Sequence, residues 1–327
     1  MARLATALSS RARLSDVVEQ AQLVESLGYD RVWIPEISGR DAFVTAAIVA
    51  DRTESIGLGL GVVPVPSRPL PALEMAVAAV SEVASARLAV GFGAGHSETA
   101  ASQFGWVGTF DSDRIETTIV RLRDALATGI LTHTTPSGEP LELRLSGQHV
   151  DHQPEFFVGA LTPPSLRMAI RCADGILLNW VTFRRAERIA DEIAAMPARG
   201  SFTIAMYVPV CVVADARERE DARRVVARQL ASYSRLRAYG RGLSGDGFAR
   251  ELALLRDVHA RGGDPASVVS DALIDAVALI GDEDDVQRGL ERLRRSGIDE
   301  PVLAPVVVGA DPLSSLMITW TALASDD

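Results

Sequence analysis

Proton-donating and proton-accepting side chains follow two short apolar runs near the amino terminus. Glu36 ends the first run, with Arg40 and Asp41 shortly after it, and His96 and Glu98 follow the second. Carboxyl and imidazole groups transfer protons, and imidazole titrates near neutral pH. His96 is therefore the first candidate proton donor, followed by Glu98 and Glu36. A hydrogen-bonding role at a helix start remains an equal alternative for His96, and Asp41 is more typical of a helix N-cap.

Two glycine-rich strand ends position these groups. The runs Ile56–Val63 and Leu88–Gly95 are too short for helices, and between them Leu70–Ala84 has helical periodicity. This pattern predicts a βαβ unit with buried parallel strands. Glycine allows positive φ and close approach of a ligand, so both strand ends are candidate walls of one site. The positions concerned are Gly61, Val62, Val63, Gly93, Ala94, Gly95 and His96.

The rest of the chain continues the alternation of strand and helix. Eight predicted strands, each followed by a helix and without a linker between them, favour a single (β/α)8 barrel (TIM barrel) over residues 1–327. Insertions are expected at 130–153, as a hairpin of polar strands, and at about 216–275, as helices. Ser15 is the expected N-cap of the first helix. A doubly wound sheet is less favoured because its dinucleotide fingerprint belongs on the first strand.

Composition excludes several classes of function. The net charge is −10 and the chain contains no lysine, so all 33 basic residues are arginine. An acidic chain is a poor general binder of nucleic acid, and Schiff-base chemistry on lysine is impossible. Cys172 and Cys211 lie in apolar contexts, which favours structural thiols. No signal peptide or membrane-spanning run is found, so we expect a cytoplasmic protein without a membrane partner.

Further candidate contacts follow later strands. The turn Gly159-Ala160-Leu161-Thr162 precedes a helix beginning at Pro163, and a helix amino terminus can bind phosphate. Asn179 and Trp180 end the sixth strand, where an amide can bind a cofactor and an indole can cover it; core packing explains Trp180 equally well. A metal site at His149, Asp151 and His152 is weakly supported, because no fourth ligand is near, and no metal is expected.

Motifs spread over nearly the whole chain are shared with one enzyme family. They are Val32-Trp33-Ile34-Pro35-Glu36, Gly39-Arg40-Asp41-Ala42-Phe43, Thr53 before Ile56-Gly57-Leu58-Gly59, Ser67-Arg68, Arg87 before Gly91-Phe92-Gly93-Ala94-Gly95-His96, Ala173-Asp174-Gly175-Ile176-Leu177-Leu178-Asn179-Trp180, Asp271 to Gly281, and Pro305-Val306. With these motifs the chain resembles the luciferase-like oxidoreductases, and most of all their coenzyme F420-dependent (deazaflavin) branch. The resemblance specifies the fold and an isoalloxazine-type ring, and it does not specify the substrate.

The resemblance implies a geometry for the ring site. In this family a non-prolyl cis peptide ends strand three and presses on the back face of the ring, which predicts a cis bond at Gly61-Val62. A trans strand end remains the alternative. Arg184 and Arg185 are candidates for binding the acidic tail of a deazaflavin. Substrate contacts are expected from Arg40, Asp41, Trp180 and Tyr233, the last on a helical lid.

The resemblance also implies the chemistry. A reduced deazaflavin transfers hydride to a C=C, C=N or C=O bond of a small molecule, and the resulting anion needs a proton. The deazaflavin sugar dehydrogenases carry Asp-His after strand two, whereas this chain has Glu36-Ile37, which favours a reductase. One alternative is an FMN-dependent monooxygenase supplied by a flavin reductase, and another is a non-catalytic flavin-binding barrel. A homodimer, with a separate cofactor-reducing enzyme as a further partner, is also expected.

Overall fold

The computed structural model describes residues 3–37, 39–95, 113–135, 137–145, 152–197 and 200–324. Eight of its strands form a closed parallel barrel in the order β1, β2, β3, β4, β7, β8, β9, β11 and back to β1. The strands are β1 (Ala5–Ala7), β2 (Arg31–Ile34), β3 (Gly57–Pro64), β4 (Leu88–Gly93), β5 (Ile130–Thr134), β6 (Pro140–Arg144), β7 (Glu155–Val158), β8 (Gly175–Leu178), β9 (Thr203–Val212), β10 (Leu279–Gly281) and β11 (Glu300–Pro305). The predicted barrel is confirmed.

Helices surround the barrel and bury apolar faces against its outer surface. The described helices are α1 (Leu14–Ser26), α2 (Ala42–Arg52), α3 (Leu70–Ala84), α4 (Asp113–Thr128), α5 (Pro163–Cys172), α6 (Phe183–Ala194), α7 (Ala216–Tyr233), α8 (Arg237–Leu243), α9 (Ala249–Ala260), α10 (Asp271–Asp275), α11 (Glu283–Arg295) and α12 (Pro312–Ala322). None of them has the length and apolar character needed to cross a bilayer.

The barrel interior is filled by a few large side chains that face small ones. Trp33, Phe157, Leu177 and Tyr207 are buried there beside alanines. A methyl group added to Gly59 would lie 2.5 Å from the Trp33 ring, which shows that glycine on β3 makes room for the indole. This alternation of bulky and small residues fills the space between opposite strands.

Both insertions contain their own elements. Strands β5 and β6 pair antiparallel in the predicted hairpin, whose turn includes Pro136, outside the described residues. Helices α7 to α10 form a second apolar cluster around Val226, Leu230 and Leu252. Strand β10 joins the carboxyl half of β9 and connects this cluster to the barrel.

Two local predictions can be compared with the structure. Helix α1 begins at Leu14 after Arg13, so the predicted Ser15 N-cap is wrong: Ser15 lies inside the helix and donates to the Asp16 carboxylate at 3.0 Å. Both cysteines are free and buried, and burial raises the pKa of Cys172 to about 12 and of Cys211 to about 11. They are structural thiols, as predicted.

Candidate active site

The carboxyl end of β3 departs from the regular ladder. The pairing of β3 with β4 shifts between Leu60 and Val63, and the Gly61-Val62 peptide bond is cis, which confirms the prediction. Across the barrel the Tyr207 hydroxyl donates to the Gly61 carbonyl at 2.9 Å. Residues Gly61 and Val62 are therefore fixed at the centre of the barrel mouth.

Val62 brings three strand ends together. A methyl group added to Gly93 would lie 2.6 Å from a Val62 methyl, one added to Gly91 would lie 3.0 Å away, and one added to Gly159 would lie 3.6 Å away. The glycines of β4 thus make room for the Val62 side chain. The ends of β3, β4 and β7 converge at this side chain, which is half-buried and belongs to the interior cluster.

Val63 does not line the mouth with its side chain. Successive side chains of a strand point to opposite faces, and Val63 lies fully buried in the outer core between strands and helices. Ala94 is exposed and Gly95 adopts a φ of 66° directly after β4. Of the three predicted residues on β3, only Gly61 and Val62 shape the interior surface.

A partly buried ion-pair cluster follows β2. Arg68 donates to both Glu36 oxygens, at 2.7 and 3.0 Å, and pairs with Asp41. Its guanidinium also lies 5.0 Å from the centre of the Phe43 ring. Burial raises the pKa of Glu36, and the Arg68 charge opposes that rise. Asp41 caps α2 by accepting from the Val44 amide at 3.0 Å. Both carboxylates thus have structural partners already.

Arg40 lies between the loops after β1 and β2. One nitrogen of its guanidinium donates to the Ala12 carbonyl. The other terminal nitrogen, Nη1, is buried and has no hydrogen-bond partner among the described residues. A buried, unsatisfied donor costs free energy, so this arginine is the predicted substrate contact with donor capacity to spare.

Some polar groups of the turn after β7 already form hydrogen bonds within the protein. Gly159 donates its amide to the Phe92 carbonyl at 2.9 Å, and Thr162 forms a capping box with Ser165 at the start of α5. Within the described ranges, no hydrogen bond is found for the Ala160 and Leu161 amides. The phosphate-binding capacity predicted for this turn thus rests on these two amides.

Two arginines near that turn donate hydrogen bonds to backbone carbonyls of neighbouring segments. Arg185 donates to the Leu161 carbonyl at 2.7 Å, and Arg184 donates to the Asp246 carbonyl at 2.8 Å. Asp246 is itself buried and accepts from Thr182 and Arg188. The two arginines expected to bind an acidic tail therefore anchor α6 to the neighbouring turn and to the helical insertion.

An aromatic group joins the barrel to the helical insertion. Trp180 is buried, has a φ of 48°, and packs on Tyr233 with ring centroids 5.2 Å apart. Tyr233 packs edge-on against Tyr239 at 5.3 Å, and Asn179 donates to the Tyr239 hydroxyl at 3.5 Å. A positive φ is uncommon for a bulky residue and often marks a functional site. Trp180 thus both packs and closes one side of the mouth.

Several predicted residues lie outside this description. His96 and Glu98, the first two candidate proton donors, are outside the described residues, as are His149 and Asp151. His152 is exposed, and the described part of the chain contains no group of three or more possible metal ligands. The proton-donor assignment to His96 and Glu98 stays a prediction.

One residue of the mouth, Tyr207, was missed from sequence. Tyr207 lies in the middle of β9, two residues after Ala205, and period-two alternation places both inside the barrel. That pattern could have revealed Tyr207. Arg68 was noted only as part of the Ser67-Arg68 motif and was given no role, because its pairing with Glu36 and Asp41 depends on the fold.

The chain resembles proteins of known function over most of its length. It is 27% identical over 315 residues to 5,10-methylenetetrahydromethanopterin reductase of Archaeoglobus fulgidus, covering 91% of each chain. It is 23% identical to the enzyme of that name from Methanolobus tindarius, covering 88% of this chain and 89% of the relative.

Solved structures share the fold. The coenzyme F420-dependent tetrahydromethanopterin reductase of Methanopyrus kandleri superposes with a TM-score of 0.79 at 16% identity, covering 99% of this chain and 98% of that one. An FMN complex of the oxygenating component of 3,6-diketocamphane monooxygenase from Pseudomonas putida gives 0.67 at 16% identity, with 99% and 98% covered. The sequence model of the luciferase-like monooxygenases matches residues 1–300. The chain therefore belongs to the luciferase-like monooxygenase family.

Proposed function

We propose that this protein is a coenzyme F420-dependent reductase that passes hydride to a C=C, C=N or C=O bond of a small molecule. The observation that carries the proposal is the convergence of three strand ends at Val62. The two curated relatives, whose alignments cover 91% and 88% of this chain, are reductases. The bound deazaflavin would supply a two-electron hydride carrier.

The surface at the mouth suits a planar ring. Ala7, Val62 and Ala304 are small, apolar and half-buried at the ends of β1, β3 and β11. Beneath them Tyr207, Leu177 and Trp33 fill the barrel, so a ring would rest on a closed floor. Apolar walls with a few placed polar groups are typical of cofactor sites.

Particular residues would hold the rest of the cofactor. The amides of Ala160 and Leu161, near the start of α5, have no hydrogen-bond partner among the described residues and can bind a phosphate group without lysine. Asn179 offers an amide at the edge of the mouth, next to the Trp180 and Tyr233 rings. These residues fit an anionic, tricyclic cofactor.

The chain must also orient the substrate and deliver a proton. The buried Nη1 of Arg40 has no hydrogen-bond partner in the described part of the chain and can donate to a polar substrate atom. Glu36 is fixed by two hydrogen bonds from Arg68, so it serves better to orient that arginine than to donate a proton. We keep His96 and Glu98 as the proposed proton donors, and both are tested together by the double substitution His96→Gln and Glu98→Gln.

An anaerobic assay tests the proposal. Reduced coenzyme F420 is mixed with the protein and a panel of enones, imines and quinones, and its reoxidation is followed by absorbance. We expect turnover with at least one class. Product formation that instead requires oxygen and reduced FMN would contradict the proposal and support a monooxygenase. Binding of a cofactor without turnover of any substrate would support a non-catalytic flavin-binding barrel.

A matched pair of variants ties the activity to the mouth. Val62→Glu places a charge against the ring surface and should abolish F420 binding, because an unpaired buried carboxylate is costly. Val83→Glu adds the same charge at a valine on α3 that is 46% exposed, and should leave binding unchanged. Equal effects of the two variants would show that binding does not involve Val62.

A further inference from the structure

Four arginines of the helical insertion surround an open cavity of about 540 Å³. We name it the arginine cavity. Its described lining residues are Ser234, Arg235, Arg237, Gly240, Arg241, Ser244 and Arg256. No Asp or Glu is among these described lining residues, although the whole chain carries a net charge of −10. A local concentration of one charge, opposite in sign to that of the protein, attracts counter-ions.

Three arginines of this cavity, Arg235, Arg241 and Arg256, differ from the ion-paired arginines of the same insertion. Elsewhere arginines pair with carboxylates, as Arg223 does with Asp271 and Asp275. None of the ion pairs found in the described ranges involves Arg235, Arg241 or Arg256. Guanidinium groups that pair with no acid among the described residues keep their bidentate donor edges for a ligand.

Local packing holds these side chains together. A methyl group on Gly240 would lie 2.5 Å from the Ser234 carbonyl, so glycine there lets α8 pack closely on the end of α7. Arg256 of α9 donates to that same carbonyl at 3.4 Å and is thereby directed at the cavity.

We infer that the arginine cavity binds a small molecule carrying at least two phosphate or carboxylate groups. Its volume lies in the range of small-ligand sites. A long nucleic acid is disfavoured because it would extend from the cavity onto an acidic protein surface.

Two sources of such a molecule are compatible with its position. Tyr233 and Tyr239 lie on either side of Arg235 and Arg237 in the chain. The two tyrosines contact each other, and Tyr233 packs on Trp180 at the barrel mouth. The acidic tail of a deazaflavin bound at the mouth could therefore reach the cavity, a source that rests on the proposed function. A free metabolite with several anionic groups is the other source and is independent of it.

Calorimetric titration with inorganic tripolyphosphate tests the site itself. The wild type should bind one equivalent, and the triple variant Arg235→Gln, Arg241→Gln, Arg256→Gln should bind about 100-fold more weakly, because each lost charge-assisted contact weakens binding severalfold. The control variant Arg224→Gln, Arg228→Gln, Arg261→Gln removes the same charge from arginines that pair with acids on the same insertion. It should bind within about threefold of wild type.

Equal weakening in both triple variants, or no saturable binding by the wild type, would overturn the inference. Circular dichroism and the unfolding temperature confirm that each variant is folded. A second titration compares a deazaflavin that carries the acidic tail with one that lacks it. If the variant Arg235→Gln, Arg241→Gln, Arg256→Gln binds only the tailed deazaflavin more weakly than the wild type does, the tail is the ligand. If its affinity for both deazaflavins is unchanged, the ligand is a free anion. Failure of both deazaflavins to bind would contradict the proposed function while leaving the tripolyphosphate result intact.

Discussion

The two ends of the barrel differ in their side chains: buried ion pairs close the amino-terminal end, and small residues leave space at the carboxyl-terminal end. At the amino-terminal end Glu300 is fully buried and accepts from the Trp33 indole at 2.6 Å and from Arg31 at 3.0 Å. Arg31 also pairs with Glu155, and Arg3 lies near both acids. At the carboxyl-terminal end small side chains, glycines and half-buried tyrosines leave a surface for a ligand. One end is closed by paired charges, although Arg31 Nε is buried there without a hydrogen-bond partner among the described residues. The other end leaves room for a ligand, as expected where barrels place stability and function.

The largest expected effect comes from breaking the closed end. Glu300→Ala leaves Arg31 and the Trp33 indole without their buried acceptor, so the free energy of unfolding should fall by about 3–5 kcal/mol. Urea denaturation measures it. Glu291→Ala, which removes an exposed partner of Arg295, should change stability by less than about 0.5 kcal/mol. Similar losses for both would show that the amino-terminal network contributes little.

Filling space at the carboxyl-terminal end should lower the free energy of unfolding less than Glu300→Ala does, but it should also weaken cofactor binding. In Gly61→Ala the new methyl group would lie 2.7 Å from Leu177 and from Trp33, and still closer to the Tyr207 hydroxyl. We expect a loss of about 1–3 kcal/mol in the free energy of unfolding and a loss of F420 binding measured by fluorescence quenching. Gly200→Ala, where no atom lies within 4 Å of the added group, is the control. Unchanged affinity in Gly61→Ala would place the ring elsewhere.

A buried acid, Glu74, lies near the start of α3, the helix that follows β3. Unlike Glu300 at the amino-terminal end, it has no cationic hydrogen-bond partner among the described residues. Glu74 is 3% exposed, and no hydrogen bond to its carboxyl occurs among the described residues. Burial raises its pKa to about 7, against a smaller opposing effect of Arg121. Since the folded pKa exceeds the unfolded one, the protonated acid stabilises the fold below about pH 4.5. That contribution is lost as pH rises through about 7.

The variant Glu74→Gln should therefore be more stable than wild type at pH 8, by about 1–2 kcal/mol, and nearly equal to it at pH 4. Denaturation across this pH range measures the difference. Glu82→Gln, on an exposed position of the same helix, should show no such pH dependence. A parallel pH profile of wild type and Glu74→Gln would refute the assignment.

The smallest expected effect is at the hydrogen bond between Tyr207 and Gly61 under the mouth. Tyr207→Phe removes the donor to the Gly61 carbonyl and should lower the free energy of unfolding by about 1 kcal/mol, with F420 affinity falling by about threefold to tenfold. Tyr29→Phe, which removes a buried hydroxyl that donates to the Trp320 carbonyl at 3.0 Å, should match the stability loss and spare the affinity. Loss of affinity in both would show a general effect of reduced stability.

Sequence reasoning recovered the barrel and its family because both rest on repeated patterns. Eight buried strands read as short apolar runs, and the motifs of the resemblance cover most of them, so the fold and the luciferase-like family were predicted and are confirmed. The bulge at Gly61-Val62 was predicted through that resemblance. Residues with purely local signatures, such as the Asp41 cap, were also predictable.

The remaining features depend on contacts between distant segments. Glu36 looked like a proton donor, and only the fold brings Arg68, 32 residues away, against it. Tyr207 donates to Gly61, which is 146 residues away in the chain. Gly91 and Gly93 are needed because a larger residue at either position would clash with the Val62 side chain. Pairings of this kind leave no mark in local composition, because the partners meet through the closure of the barrel.

The structure of the protein in complex with oxidised coenzyme F420 tests the central claim most directly. We predict that the deazaflavin ring lies at the carboxyl end of the barrel against Val62, with its phosphate near the Ala160 and Leu161 amides. A ring bound outside the mouth, or a mouth that stays empty while F420 is bound elsewhere on the protein, would contradict the account.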